Sequence, residues 1–244
     1  MTLLVEDLTC GYGDITVVRN LSFEARAGEV LALLGRNGAG KTTTLKAVSG
    51  LIRAASGRIV VDGRDVSAQA PYRRVGRGLA FIQEGKRIFR DRTVEENLVL
   101  GLFAVRGRRR LLGERLAEAY ARFPILEEKR HLPAGALSGG QQQMLSIAQA
   151  LTRRPSTLLL DEPSAGLAPA IVGEVYEVIA GLRDDGLTVV LVEQAVGWAA
   201  SVADRIAVLE TGHKIYEGDP IGTEAEAAVA RIELGGESRL GAAG

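Results

Sequence analysis

The sequence is poor in the features that mark secreted and membrane-spanning proteins. Its 244 residues include a single cysteine, Cys10, so no disulfide can form within the chain, which fits a reducing compartment. No apolar run approaches the roughly 20 residues that a helix needs to cross a bilayer, and the first residues lack the basic and apolar regions of an export signal. We therefore expect a cytosolic protein whose membrane role, if any, comes through a partner.

The sequence also has no excess of charge. Its 30 lysine and arginine residues balance its 30 aspartate and glutamate residues. Because proteins held to nucleic acid by bulk charge are strongly basic, this balance argues against a nucleic-acid partner. The length is enough for one large or two small domains with a sizeable core.

Apolar strand-like runs alternate with helix-like segments along the chain. Residues 30–34, Val-Leu-Ala-Leu-Leu, are typical of a strand buried on both faces of a parallel sheet. Residues 95–154 are helical and more polar in pattern, with an arginine cluster at 106–110 predicted as a solvated loop. Further strands are predicted at 3–5, 16–18, 21–23, 79–82, 157–160, 188–192 and 206–209, and helices from Gly40 and near Pro169. The pattern predicts an α/β core carrying a helical subdomain, with a disordered tail from Gly235.

A phosphate-loop pattern, G-x-x-x-x-G-K-[ST], occurs at residues 35–42, between a buried strand and a predicted helix. Its glycines let backbone N–H groups and the helix N-terminus point at anionic oxygens. Lys41 would reach the β- and γ-phosphates of a nucleotide, and the Thr42 hydroxyl would coordinate Mg²⁺. The pattern therefore predicts a nucleotide site.

A second pattern, Leu-Leu-Leu-Asp-Glu at residues 158–162, is an apolar strand that ends in two carboxylates. At the carboxyl edge of a parallel sheet such side chains lie in the crevice where α/β folds bind ligands. Asp161 would hold Mg²⁺ through water, and Glu162 would polarise the water that attacks the γ-phosphate. Together with the phosphate loop, this pair predicts an ATPase.

A third pattern, Leu-Ser-Gly-Gly-Gln at residues 137–141, lies between the other two. Ser138 is a good N-cap, so a helix is predicted to begin there with bare glycine N–H groups at its positive end. That end is a site for an anion, although by itself the pattern also fits an ordinary capped helix.

With these three patterns, the chain resembles ATP-binding cassette (ABC) ATPases, in particular the ATP-binding subunit of bacterial importers for branched-chain amino acids, from Met1 to about Gly218. Shorter runs carry the likeness to that subgroup: Val-Glu-Glu-Asn-Leu at 94–98, Gln-Gln-Gln-Met at 141–144, Asp-Glu-Pro-Ser-Ala-Gly-Leu-Ala-Pro at 161–169, Leu-Val-Glu-Gln at 191–194 and Leu-Glu-Thr-Gly at 209–212. Importers of urea and amides are close relatives of the subgroup.

The resemblance implies a fold of the α/β class: a P-loop NTPase (ABC ATPase) core with an N-terminal antiparallel β region and an inserted helical subdomain. The core would comprise residues 1–83 and 156–222, and the helical subdomain with the third pattern residues 84–155. Residues 223–244 would form a C-terminal helix and the disordered tail.

The resemblance also assigns roles to side chains. Tyr12 would stack on adenine, Gln83 would sense Mg²⁺ and the membrane subunit, and residues 84–89 would line the groove for a coupling helix. The implied catalytic residues are Lys41, Glu162 and Gln194, and the implied metal ligands are Thr42, Gln83 and Asp161. The implied nucleotide-binding residues are Tyr12, Gly35, Arg36, Asn37, Gly38, Ala39, Gly40, Lys41, Thr42, Thr43, Gln83, Ser138, Gly139, Gly140 and Gln141, of which Ser138, Gly139 and Gly140 would face a partner's γ-phosphate.

Two positions depart from the general ABC pattern. Gln194 stands where most members have a histidine, and Ala168 where most have an aspartate. Glutamine can donate to the γ-phosphate and accept from a neighbour, so the switch geometry can survive without a titrating group. Alanine removes an acceptor at the expected dimer contact. Both departures agree with the importer subgroup.

The implied cofactors are ATP and Mg²⁺. The implied partners are a second ATP-binding subunit, either a sister cassette or a second copy, in a nucleotide-sandwich dimer, transmembrane permease subunits and, indirectly, a solute-binding protein, with no nucleic acid. The chain would lie at the cytoplasmic face of the inner membrane. The alternatives are a urea or amide importer, a soluble ABC ATPase of DNA repair or translation, and a regulatory module without turnover.

Overall fold

The computed structural model describes residues 2–85, 88–103, 105 and 107–234. Within these ranges the strands are β1 (Leu3–Tyr12), β2 (Ile15–Ala25), β3 (Val30–Gly35), β4 (Ala54–Val61), β5 (Arg64–Asp65), β6 (Leu79–Ile82), β7 (Thr157–Asp161), β8 (Thr188–Glu193), β9 (Arg205–Glu210) and β10 (His213–Gly218). The α-helices are α1 (Lys41–Ser49), α2 (Pro71–Val75), α3 (Val94–Gly101), α4 (Arg108–Arg122), α5 (Pro124–Glu128), α6 (Gly139–Leu151), α7 (Pro169–Asp184), α8 (Val196–Val202) and α9 (Thr223–Leu234).

The strands form two sheets. The larger has the order β10-β9-β3-β8-β7-β6, in which β10 runs antiparallel to β9 and the remaining neighbours are parallel. The smaller sheet, β2-β1-β4-β5, is antiparallel. An α/β fold with an antiparallel N-terminal region and helical elements is therefore confirmed.

The central strand β3 shows how the core is divided. Successive side chains of a strand point to opposite faces. Val30, Ala32 and Leu34 accordingly pack in the core that the helical elements cover. Leu31 and Leu33 pack on the other face, against α1 and the antiparallel sheet. Because β3, β7 and β8 are parallel and buried, the loops that follow them meet at one edge of the sheet.

Two local predictions were wrong. Residues 16–18 and 21–23 belong to one strand, β2, because Asn20 takes a left-handed conformation (φ 47°) and the β1–β2 pairing shifts register instead of ending. The arginines at 108–110 open α4 and are not part of a loop. The helix follows Gly107 (φ 73°), and arginine is a good helix former.

Some predicted features fall outside the described residues, namely Arg106, residues 86–87 of the expected groove, and the tail from Gly235. In the part of the chain that is described, no helix has the length and apolar character needed to cross a membrane.

Candidate nucleotide-hydrolysis site

The phosphate loop connects β3 to α1, as its pattern predicts. Gly40 precedes the helix with a left-handed backbone (φ 103°). A β-carbon there would lie 2.8 Å from the Val18 side chain. At Gly35, a β-carbon would lie 2.6 Å from the Leu209 carbonyl oxygen. Only glycine therefore allows the loop to pass this close to β2 and β9.

The N-terminus of α1 fits a phosphate group. No side chain caps it, whereas Thr93 caps α3 and Ser138 caps α6, each through a capping box. The first N–H groups of a helix lack intrahelical acceptors, and together with the helix dipole they favour an anion. The helices α2, α4, α5, α7 and α8 also lack a side-chain cap, so the glycine-rich loop before α1, and not the missing cap alone, indicates an anion site.

Lys41 lies on the inner side of this loop and is only 4% exposed. Its Nζ donates to the carbonyl oxygens of Gly35 (2.6 Å) and Arg36 (3.2 Å), and lies 4.0 Å from Glu162 Oε1. Burial lowers the pKa of Lys41, while the carboxylates of Glu162 and Asp161 oppose that shift. Two carbonyl oxygens of the loop thus hold the ammonium group beside the Glu162 carboxylate.

Two of the predicted metal ligands are in direct contact. The Thr42 hydroxyl donates to Asp161 Oδ1 at 2.8 Å. Burial raises the pKa of Asp161 above its usual value, and the hydrogen bond from Thr42 opposes that rise only in part. A hydroxyl and a carboxylate beside a phosphate loop form the oxygen donor set that Mg²⁺ prefers. The residues therefore fit this cation.

Glu162 and Gln194 form the clearest side-chain pair of the site. The Gln194 amide nitrogen donates to both carboxylate oxygens of Glu162, at 2.8 and 2.9 Å. Because a carboxylate only accepts hydrogen bonds, the amide must present its NH₂ group. The Glu162 backbone (φ 47°) is left-handed, and its N–H donates to the Val192 carbonyl. The loops after β7 and β8 thus hold the predicted base against the predicted switch residue.

Two further predicted residues, Tyr12 and Gln83, lie on other elements of the fold. Tyr12 ends β1 at the tip of the β1–β2 hairpin, where it pairs with Ile15 and is 47% exposed. Gln83 directly follows β6 and is half-buried. It lines a cavity of about 310 Å³ with residues of β6 and α6. Neither residue has a hydrogen bond from its side chain to the phosphate loop in the described ranges.

The glycines of the third pattern begin α6, as predicted. Ser138 Oγ accepts from the Gln141 N–H (3.3 Å), and Gln141 Oε1 accepts from the Ser138 N–H (3.1 Å) and from Lys129 (3.3 Å). Gly140 is buried and packs closely against α7, since a β-carbon there would lie 2.2 Å from the Ile171 side chain. Ser138 and Gly139 are exposed. The Gln141 side chain is therefore engaged in the cap, and Gly140 has a packing role as well.

No role was predicted for Glu193, although it contacts both loops of the site. Its carboxylate accepts from the backbone N–H groups of Ser164 and Gln194. The available signal was a single acidic residue at the end of an otherwise apolar strand. That signal could not show which loop the side chain faces.

A phosphate loop on a parallel α/β core, with a carboxylate pair beside it and a separate glycine-started helix, defines a P-loop ATPase. A family model described as "ABC transporter" matches residues 18–165. The chain belongs to the ABC transporter family. It is accordingly an ATPase and an ATP-binding subunit of a transporter.

Individual relatives share most of their length with this chain. The high-affinity branched-chain amino acid transport ATP-binding protein BraG of Pseudomonas aeruginosa is 42% identical, over 82% of this chain and 85% of its own. The lipopolysaccharide export system ATP-binding protein LptB of Haemophilus influenzae is 36% identical, over 98% and 99%. Among solved structures, cbiO1 of Clostridium perfringens, described as part of the ABC transporter complex cbiONQ, superposes with a TM-score of 0.83 at 26% identity, covering 96% of each chain.

Proposed function

We propose that this chain is the ATP-hydrolysing subunit of an ABC importer for branched-chain amino acids. The observation that carries the proposal is the pair of hydrogen bonds from Gln194 to Glu162, because it places at the switch position the glutamine that the resemblance to that importer subgroup implies. The 42% identity to a branched-chain amino acid transport protein supports the same substrate class. An importer of urea or amides is the related alternative.

Hydrolysis would use the contacts already present. Lys41 would exchange the carbonyl oxygens of its loop for β- and γ-phosphate oxygens, and Thr42 and Asp161 would hold Mg²⁺, which neutralises charge on the phosphates. Glu162 would accept the proton of the attacking water. Each oxygen of Glu162 accepts one hydrogen bond from Gln194 and keeps a second lone pair, so Glu162 can take that proton while Gln194 holds it in place.

The second nucleotide-binding surface would come from another subunit. Ser138 and Gly139 are exposed at the positive end of α6, and no hydrogen bond or ion pair joins them to the phosphate loop within the described ranges. We infer that they face the γ-phosphate on a partner, either a sister cassette or a second copy. Tyr12, exposed on the hairpin, would stack on the adenine.

A permease would dock beside β6. The 310 Å³ cavity there is lined by Gln83 with Phe81, Gln149 and Arg153 among others, and by none of the described residues of 84–89, which were expected to line the groove. Glu84, Gly85 and Ile88 line a separate cavity of about 550 Å³. Apolar and cationic groups around one groove suit a short amphipathic helix from a membrane subunit. Such docking would place the chain at the cytoplasmic face of the membrane.

Transport assays test the substrate. The tagged chain would be purified with its permease subunits, reconstituted in vesicles with the solute-binding protein and supplied with ATP. We expect uptake of labelled leucine, isoleucine and valine, and none with Lys41→Ala. Because an LptB protein is 36% identical over nearly the whole chain, lipopolysaccharide export is the second candidate. ATP-driven lipopolysaccharide extraction without amino-acid uptake would overturn the importer assignment.

A further inference from the structure

Glu193 is a buried carboxylate at the end of β8, with 2% of its surface exposed. The rest of the strand is Thr, Val and Leu. Burying a carboxylate is costly unless its oxygens are satisfied. No lysine, arginine or histidine of the described ranges forms an ion pair with it. Two backbone N–H groups satisfy it instead, from Ser164 to Oε1 at 3.1 Å and from Gln194 to Oε2 at 3.2 Å.

These two donors belong to the loops that carry the proposed hydrolytic side chains. Ser164 lies two residues after Glu162, in the loop after β7, and Gln194 opens the loop after β8. A backbone hydrogen bond also joins the start of the loop after β7 to strand β8, from the Glu162 N–H to the Val192 carbonyl at 2.9 Å. One carboxylate thus spans both loops, with one oxygen on each.

We propose that Glu193 is a positioning residue for ATP hydrolysis, whose carboxylate sets the distance between the two loops so that Gln194 meets Glu162. The inference rests on the proposed function, because it assigns Glu193 to the same hydrolytic site. Glu193 touches neither phosphate nor water in this role and acts through the backbone of Ser164 and Gln194.

A buried tyrosine lies near Glu193. Tyr176 of α7 is buried with its phenol near this carboxylate, and burial, together with the negative charge of Glu193, raises the pKa of Tyr176. The Trp198 ring of α8 stacks on Tyr176, with ring centroids 5.7 Å apart. Stacking on Trp198 therefore helps to fix the Tyr176 ring beside Glu193.

A carboxylate suits this position better than an amide of the same shape. Two N–H donors need two acceptors, and an ionised carboxylate offers acceptors on both oxygens. In Glu193→Gln one oxygen becomes an NH₂ group that would face a backbone N–H. One of the two loops would then lose its link, although the side-chain volume stays the same.

Glu193→Gln is the principal test. We expect kcat for ATP hydrolysis to fall about tenfold, the usual effect of losing a hydrogen bond to a charged group. KM for ATP and nucleotide affinity should stay within about twofold, because the phosphate loop is untouched. Glu29→Gln is the control for loss of a buried carboxylate. Glu29 also accepts from a backbone N–H, that of Arg26, and it precedes β3 at the opposite edge of the sheet, although it pairs in addition with Arg205. We expect it to leave kcat unchanged.

A double-mutant cycle separates positioning from general destabilisation. If Glu193 acts through Gln194, Glu193→Gln should lower kcat much less in a Gln194→Ala background than in the native one. Equal reductions in both backgrounds would overturn the proposal.

Glu162→Gln serves as the reference for the hydrolytic site itself. If it abolishes turnover while Glu193→Gln keeps native kcat, the positioning role alone fails. If Glu162→Gln hydrolyses normally, the proposed hydrolytic site fails and the positioning role with it.

The unmodified chain offers an independent check. Amide hydrogen exchange measured by NMR should show protection of the Ser164 and Gln194 N–H groups, which lie in loops and have no other acceptor in the described ranges. Exchange at the rate of open loop amides would overturn the proposal even if Glu193→Gln failed to fold.

Discussion

Removal of the Gln194 side chain gives the most direct test of how Glu162 is held. Gln194→Ala deletes two hydrogen bonds, of 2.8 and 2.9 Å, to a carboxylate that is 14% exposed. A hydrogen bond to a charged group contributes about 1.5–3 kcal/mol. If the Gln194 hydrogen bonds orient Glu162 in the transition state, losing that free energy should lower kcat between about tenfold and 150-fold. KM should change little, because Lys41 and the phosphate loop remain.

Gln194→His tests the same contact through its pH dependence. Imidazole has an unperturbed pKa of about 6.5, and a neighbouring carboxylate favours its charged form. The variant should therefore show a new step in activity above about pH 6.5, which native Gln194 cannot produce. His131 and His213 are present in both proteins, so their contributions cancel in the comparison.

The assay is steady-state ATPase activity between about pH 5.5 and 8.5, a range that brackets histidine titration. Native protein, Gln194→Ala and Gln194→His would be compared at saturating ATP and Mg²⁺, with thermal unfolding measured for each. Superimposable profiles for the native and histidine proteins, with native kcat in the alanine variant, would show that Gln194 has no part in hydrolysis.

Three further outcomes are expected. Lys41→Ala should abolish tight ATP binding, measured by isothermal calorimetry, because it removes the cation at the phosphate loop; unchanged affinity would contradict that role. Ala168→Asp should raise the free energy of unfolding in urea by about 1 kcal/mol, since residue 168 is the N-cap of α7 and now offers no side-chain acceptor; a loss of stability would contradict the cap. Glu162→Gln should bind ATP, fail to hydrolyse it and form a dimer.

The parts of the site that were predictable from sequence are contiguous in the chain. The phosphate loop, residues 158–162 and residues 137–141 each combine a local conformation with a fixed chemistry, so the pattern alone places them on a strand end or a helix start. The buried runs at 30–34 and 188–192 likewise predict central strands, because parallel strands covered on both faces are continuously apolar.

Contacts between distant segments could not be predicted. From sequence, Glu193 is only an acidic residue at the end of a strand. Its hydrogen bond from the backbone N–H of Ser164, 29 residues earlier, is visible only in the folded structure. The packing of Gly140 against Ile171 also depends on tertiary structure. The capping role of Gln141 is local, because Ser138 and Gln141 form a capping box within residues 138–141. The apolar pattern predicts two strands in place of β2, because the polar residues Arg19 and Asn20 interrupt it. In the structure, backbone pairing with β1 continues past this point through a bulge.

Glu162→Gln separates nucleotide binding from hydrolysis, and so tests the two-subunit site. The variant lacks the carboxylate that accepts the proton of water, yet keeps Lys41, the Thr42–Asp161 pair and the exposed start of α6. In ATP and Mg²⁺, each γ-phosphate should lie between the phosphate loop of one subunit and the start of α6, at Ser138, in the other, and so hold a dimer. ADP has no γ-phosphate and leaves those contacts unmade. Light scattering of the variant, by itself and mixed with a sister cassette, should show a dimer in ATP and Mg²⁺ and a monomer in ADP. Adding Ser138→Arg should abolish the dimer but not ATP binding. A monomer under every condition, with ATP bound, would refute the shared site.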